Sequence, residues 1–100
     1  MGGFRLLPEA EAELDDIWFY VAGKSGSIEI VNRVVDGITE RFWLLAQHPQ
    51  IGRRRDADLR SGLRSFPVGE YVIIYRTQGE EALILHVMRC SRDIAGLLEE

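Results

Sequence analysis

One lysine, one cysteine and two histidines in 100 residues set the first limits on the chemistry available to this chain. The lone cysteine, Cys90, can form no internal disulfide, which points to a reducing cytoplasm. His48, His86 and Cys90 are too scattered to offer the ligand spacing of a metal site. No apolar run approaches the roughly 20 residues that span a bilayer. Met1-Gly2-Gly3 begins neither a basic nor an apolar signal segment. Phosphate-binding glycine loops, GxSxG elbows and HExxH helices are missing too. Neither a metal nor an organic cofactor is expected, and no membrane. With no repeat, low-complexity tract or linker, residues 1–100 are expected to form one domain.

What is present is arginine, which accounts for 11 of the 12 basic residues. The net charge of −4 hides an asymmetry. Residues 53–76 hold Arg53, Arg54, Arg55, Arg60, Arg64 and Arg76 against Asp56, Asp58 and Glu70. A positive patch on an acidic protein implies one anionic partner rather than general or sequence-specific nucleic-acid affinity. The competing reading is a solvated loop whose arginines pair with nearby carboxylates.

Periodicity orders the chain. Phe4 to Leu7 reads as an edge strand. Pro8 opens a helix, with Glu9, Glu11 and Glu13 favourably placed near its start. Ala10, Leu14, Ile17, Trp18 and Val21 form its buried face, and Gly23 to Gly26 ends it. Ser27 caps a second helix with a stripe of Ile28, Val31, Val34, Val35, Ile38, Phe42 and Leu45. Gly37 within it calls for a close helix crossing, and His48-Pro49 closes it. Residues 49–61 read as loop. The period then falls to two. Strands are expected over Leu63–Phe66, Tyr71–Arg76 and Ala82–Cys90, with turns at Pro67–Glu70 and Gln78–Glu81. Asp93 to Glu99 reads as a closing helix. The fold class is therefore α+β: a helical hairpin on an antiparallel β-sheet, in the order β-α-α-β-β-β-α.

Both strand faces are apolar. In the last strand Leu83, Leu85 and Val87 should point one way and Ile84, Met88 and Cys90 the other. Two helices cover one face of so small a sheet, so the second calls for the closing helix or another molecule.

Few residues invite a catalytic reading. Asp15 and Asp16 are adjacent, about 100° apart on a helix, and form no carboxylate pair. His48 is more simply a helix-end residue, and His86 a satisfied histidine within a strand. Trp18, Phe19, Phe42 and Trp43 lie at helical spacing and read as core or hairpin contacts. Tyr71 and Tyr75 share a strand face, either under the helices or on the open side. Arg64, Arg76, Arg89 and Arg92 lie in or just beyond the strands. Guanidinium groups clamp anions bidentately but hardly ever release a proton, so they favour binding over general-base catalysis. The one lysine, Lys24, falls at the helix turn, away from the strands.

Four pieces, in order, resemble the RelE/ParE toxin superfamily, and its ParE branch in particular. They are Pro8 to Leu14 leading to Ile17 and Tyr20; His48-Pro49 followed by Gly52-Arg53; Leu63 to Gly69 running into Tyr71 and Tyr75-Arg76; and Ser91-Arg92-Asp93. The resemblance spans Leu7 to Leu98 and implies the same β-α-α-β-β-β-α fold. It further implies a type II toxin, of the kind that poisons DNA gyrase and is neutralised by a ParD-like antitoxin whose C-terminal segment wraps the sheet. On that reading Arg60, Arg64, Tyr71, Tyr75, Arg76, Arg89 and Arg92 are the candidates for target or antitoxin binding, and no residue is catalytic. RelE-like members instead cleave mRNA on the ribosome with clustered lysines and arginines and a late tyrosine. This chain has no strand lysine and no tyrosine after Tyr75. Ribosome-dependent cleavage and a non-toxic autoregulatory partner remain the alternatives. Two departures stand out: Leu7 replaces the usual serine or threonine cap, and His86 and Arg89 look exchanged.

Overall fold

Residues 3–56 and 62–89 are described in the computed structural model. Cys90, the expected closing helix, and the candidates Arg60 and Arg92 lie outside the described residues. Strand β1 (Phe4–Leu6) leads straight into helix α1 (Pro8–Ser25). Leu7 offers no side-chain cap, and the first turn relies on Pro8 at its start and on Glu9 and Glu11. The helix runs through Gly23 and stops at Gly26, whose φ of 65° lets its N–H reach the Ala22 carbonyl. Helix α2 (Ile28–Gln47) starts on the Ser27 hydroxyl, which accepts the Ile30 N–H, and ends at His48 before Pro49.

The helical stripes are narrower than the spacing predicts. Val31, Ile38, Phe42, Leu45 and Ala46 are buried, but Ile28 is 60% exposed, Trp43 56% and Phe19 69%. Ile28 is the first residue of α2. Trp43 stands T-shaped against Phe4, and Phe19 against Trp18, each on the rim of the core. A Cβ at Gly37 would meet nothing within 4 Å, so no close crossing explains that glycine.

The sheet contains β2 (Arg53–Arg54), β3 (Arg64–Val68), β4 (Tyr71–Gln78) and β5 (Glu81–Arg89), in the order β1-β5-β4-β3-β2. It is mixed rather than purely antiparallel, because β1 pairs parallel to β5. A three-residue strand carries no sign of its direction; the path through both helices and two hairpins sets it. β2 lies within the expected loop. Two exposed arginines give no apolar alternation, yet Arg53 pairs with Ser65 and the Arg55 N–H reaches Leu63. Pro67 belongs to β3 rather than the turn. It lies past the end of β2, where β3 is the sheet edge and proline is tolerated.

A bulge changes which residues share a face. Ile74 pairs with His86 and Tyr75 with Ile84, which leaves Leu85 unopposed. Beyond it the alternation of β5 inverts. Ile84 and Val87 both join the core under the helices, while Leu85 and Met88 join a second cluster with Leu63, Val72 and Ile74. The expected grouping of Leu83, Leu85 and Val87 is thus corrected. The second apolar face, expected to need the closing helix or another molecule, is covered without another molecule. Within the single chain Leu63 is 4% exposed, Val72 6%, Ile74 0% and Met88 9%. That face supplies no argument for a partner.

Candidate functional site

Tyr71 and Tyr75 both lie under the helices, in the main core. Tyr75 is wholly buried, and its hydroxyl ties down the chain that leaves α2. It donates to the Pro49 carbonyl at 2.7 Å and accepts the Gly52 N–H at 2.9 Å. Arg64, beside Tyr75 on the next strand, donates to the carbonyls of Gln50 (3.2 Å) and Gly52 (2.9 Å). Two of the candidate residues therefore act inward, fastening residues 49–52 and with them β2.

Burial pushes the phenols of Tyr75 and Tyr71 above their ordinary value of 10.0; the Gly52 N–H partly offsets this at Tyr75, and the Arg89 charge at Tyr71. Once unfolded, both ionise near pH 10. The stability they contribute is complete below that pH and is lost as pH rises through the higher folded values. The melting temperature is expected to fall between about pH 9 and pH 11, and to fall less in Tyr75→Phe, although that variant starts lower. Parallel profiles for the two proteins would refute this assignment.

At the opposite end of β4, α1 faces the end of β5 across a cavity of about 460 Å³. Ile17 and Val87 give it an apolar floor; Glu13, Asp16, Tyr20, Tyr71, His86, Met88 and Arg89 complete its lining. β1 pairs with β5 only as far as Ile84, and beyond that point no strand among the described residues pairs with the outer edge of β5. Glu13 takes the strand's place there. Its Oε1 accepts the Val87 N–H at 2.9 Å, and its Oε2 lies 3.2 Å from His86 Nδ1. The carboxylate selects the His86 tautomer with its proton on Nδ1. His86 is satisfied, as its place within a strand implied.

Arg89 closes the other side of the cavity. It donates to Glu70 at 3.2 Å, and its guanidinium carbon lies 5.3 Å from the centre of the Tyr20 ring. Lys24 stands 5.5 Å from the same centre. Arg89 chiefly, by offering its protons to the phenolate, and Lys24 after it, hold the Tyr20 phenol below its ordinary value. Register pairs Tyr71 with Arg89. The fold thus gathers Tyr71 and Arg89 at the cavity and Arg64 and Tyr75 at the loop, and leaves Arg76 exposed and apart from both. Glu13, Asp16 and Tyr20 complete the cavity without having been singled out as site residues. Their signal was available, since positions 13, 16, 17 and 20 line one helix face.

The profile of the ParE toxin of type II toxin–antitoxin systems (parDE) matches residues 4–94, a range that contains both the cavity and the fastened loop. The chain belongs to the ParE toxin family. It is similar to the toxin ParE1 of Caulobacter vibrioides, at 33% identity over 91 residues, covering 91% of this chain and 92% of that one. The toxin ParE3 of the same organism is 31% identical over 86 residues, covering 86% and 84%. Among solved structures, a chromosomal ParDE system from P. aeruginosa matches with a TM-score of 0.76 at 25% identity, covering 89% of this chain and 96% of that one. A RelBE2 toxin–antitoxin complex from Mycobacterium tuberculosis matches in fold alone, with a TM-score of 0.60 at 22% identity over 88% and 96% of the two chains. Two of the motif pieces that carry the ParE resemblance are in contact, since the Gly52 N–H donates to the Tyr75 hydroxyl. Among the described residues no helix is long and apolar enough to cross a membrane.

Proposed function

We propose that this chain is the toxin of a type II pair, that it inhibits DNA gyrase when free, and that the C-terminal segment of a ParD-like antitoxin silences it. The family match supports the toxin reading. The observation that carries the mode of silencing is the cavity between α1 and the end of β5. Its apolar floor, and a rim bearing Glu13, Asp16 and Arg89, suit an amphipathic segment that buries one apolar side chain and pairs its charges at the edges. The guanidinium of Arg89 is held by Glu70 and Tyr20, which favours charge presentation over proton transfer.

Purified toxin is expected to make gyrase cleavage complexes accumulate, and stoichiometric antitoxin to restore supercoiling. Unchanged supercoiling and cleavage would sink the gyrase assignment. One feature favours ribosome-dependent mRNA cleavage as a second reading: a histidine oriented by a carboxylate, His86 with Glu13, is what a general base requires. Mapping RNA 5′ ends after induction separates the two, since only cleavage creates new ends within translated codons.

A further inference from the structure

Gly37 lies in the middle of α2, where a glycine weakens a helix. Its φ is not positive, so the backbone does not demand glycine there. Among the described residues nothing lies within 4 Å of where its Cβ would stand. The missing side chain leaves a shallow depression on the helix surface, ringed by Glu29, Asn32, Arg33, Asp36 and Glu40. Arg33, Asp36, Gly37 and Glu40 hold the i, i+3, i+4 and i+7 positions that frame a hole in helix-to-helix packing. With glycine as one of the four, a second helix can come unusually close. None of these residues lines the cavity between α1 and β5.

The charges around the depression are complementary to themselves. Arg33 and Glu40 lie equally far before and after the midpoint of Asp36 and Gly37. A two-fold axis through that midpoint, perpendicular to the helix, sets Arg33 of one copy opposite Glu40 of the other, and does so twice. Within one helix the two are seven residues apart, beyond the i, i+3 and i, i+4 spacings at which side chains pair. Glu40 meets Arg41 of its own chain at 3.9 Å, a loose and exposed contact. Asp36 and Glu40, four residues apart, repel each other, and an arginine from a second copy relieves that repulsion. On one flank the same axis brings Ile30, 43% exposed, toward the half-buried Leu44.

We propose that α2 is a self-association surface, on which two copies of this chain cross antiparallel at Gly37 and are held by two Arg33–Glu40 pairs. Self-complementary charge is the reason for choosing a second copy, since a two-fold contact requires one patch to match itself. A single helix crossing buries less than the roughly 1,200 Å² at which standard interfaces begin, so the dimer is transient. It leaves the cavity of each copy open, and it depends neither on the target nor on the silencing segment.

The test is sedimentation of the full chain across a concentration series. From about 10 μM to about 1 mM the weight-average mass should rise from one chain toward two. Arg33→Glu and Glu40→Arg, taken singly, set like charges opposite each other at both contacts and should each weaken association about tenfold or more. Arg33→Glu/Glu40→Arg restores opposite charges and should recover association to within about threefold of the parent. Gly37→Leu separates the helix from the contact. It improves the helix, so the melting temperature of the dilute protein should rise by on the order of 5 °C, while self-association is lost. A parent that stays a single chain throughout, a double variant as weak as the single ones, or a Gly37→Leu variant that dimerises like the parent would each overturn the proposal. A single-chain parent whose Gly37→Leu variant loses affinity for antitoxin would overturn it too, and would give this face to the antitoxin.

Discussion

Gly52→Ala is expected to be the most damaging small substitution in the described chain. A Cβ at this position would run into the Tyr75 hydroxyl and into two carbons of its ring. Tyr75 is 0% exposed and packed under both helices, so it cannot yield. Overpacking of a rigid core costs about 1–3 kcal/mol, and the strained loop also weakens the hydrogen bonds of Tyr75 to Pro49 and Gly52. A total of about 3 kcal/mol corresponds to a melting temperature on the order of 15 °C lower in a domain of this size. Tyr75→Phe should not rescue the variant, because the colliding ring carbons remain. Chemical denaturation of the single and double variants checks this; recovery in the double variant would show that the hydroxyl alone makes the conflict. β2 begins at the next residue, so the same substitution should loosen its pairing with β3.

Glu13→Ala should have the next largest effect, about 2–3 kcal/mol. The carboxylate is acceptor to a strand N–H that has no strand neighbour among the described residues, and it faces the His86 ring. Removing it leaves the Val87 N–H and the His86 Nδ1–H without acceptors in a half-buried setting, which costs more than the bonds themselves are worth. Glu13→Gln keeps an acceptor oxygen for Val87 and should lose about half as much. Hydrogen exchange gives a local readout: the Val87 amide should exchange faster in the alanine variant and near the parental rate in the glutamine variant. Parental stability and parental exchange in Glu13→Ala would mean that α1 is held to β5 by its apolar contacts alone.

Much of the architecture was legible because the period of burial differs sharply between the two halves of the chain. Helix caps at Pro8 and Ser27, the stop at Gly26 and the three long strands all follow from local chemistry. What escaped was whatever local chemistry does not encode. β2 is two arginines, whose place in the sheet depends on Tyr75 and Arg64 holding the preceding loop. The direction of β1 depends on where the rest of the chain returns. The inverted alternation after Leu85 comes from a bulge that no residue type announces, and it moved Val87 to the helix side.

The candidate site divides in the same way. Arginines and tyrosines were the right residue types to watch, but type did not reveal orientation. Tyr75 and Arg64 face the loop, and Arg89 faces a cavity whose other wall is helical. The exchange of His86 and Arg89 acquires a local meaning. Histidine sits against Glu13 and arginine against Glu70 and Tyr20, so each basic group has a carboxylate beside it.

The parallel pairing of Phe4 with Ala82 has a consequence for how the protein is made. The first strand waits for almost the last, and a ribosome adding about 5–20 residues per second takes roughly 4–16 s to bring the second within reach. Until then the nascent chain holds a helical hairpin with no seat for it, and the cavity does not exist. Translation itself therefore imposes a delay during which a partner already present in the cell can arrive first.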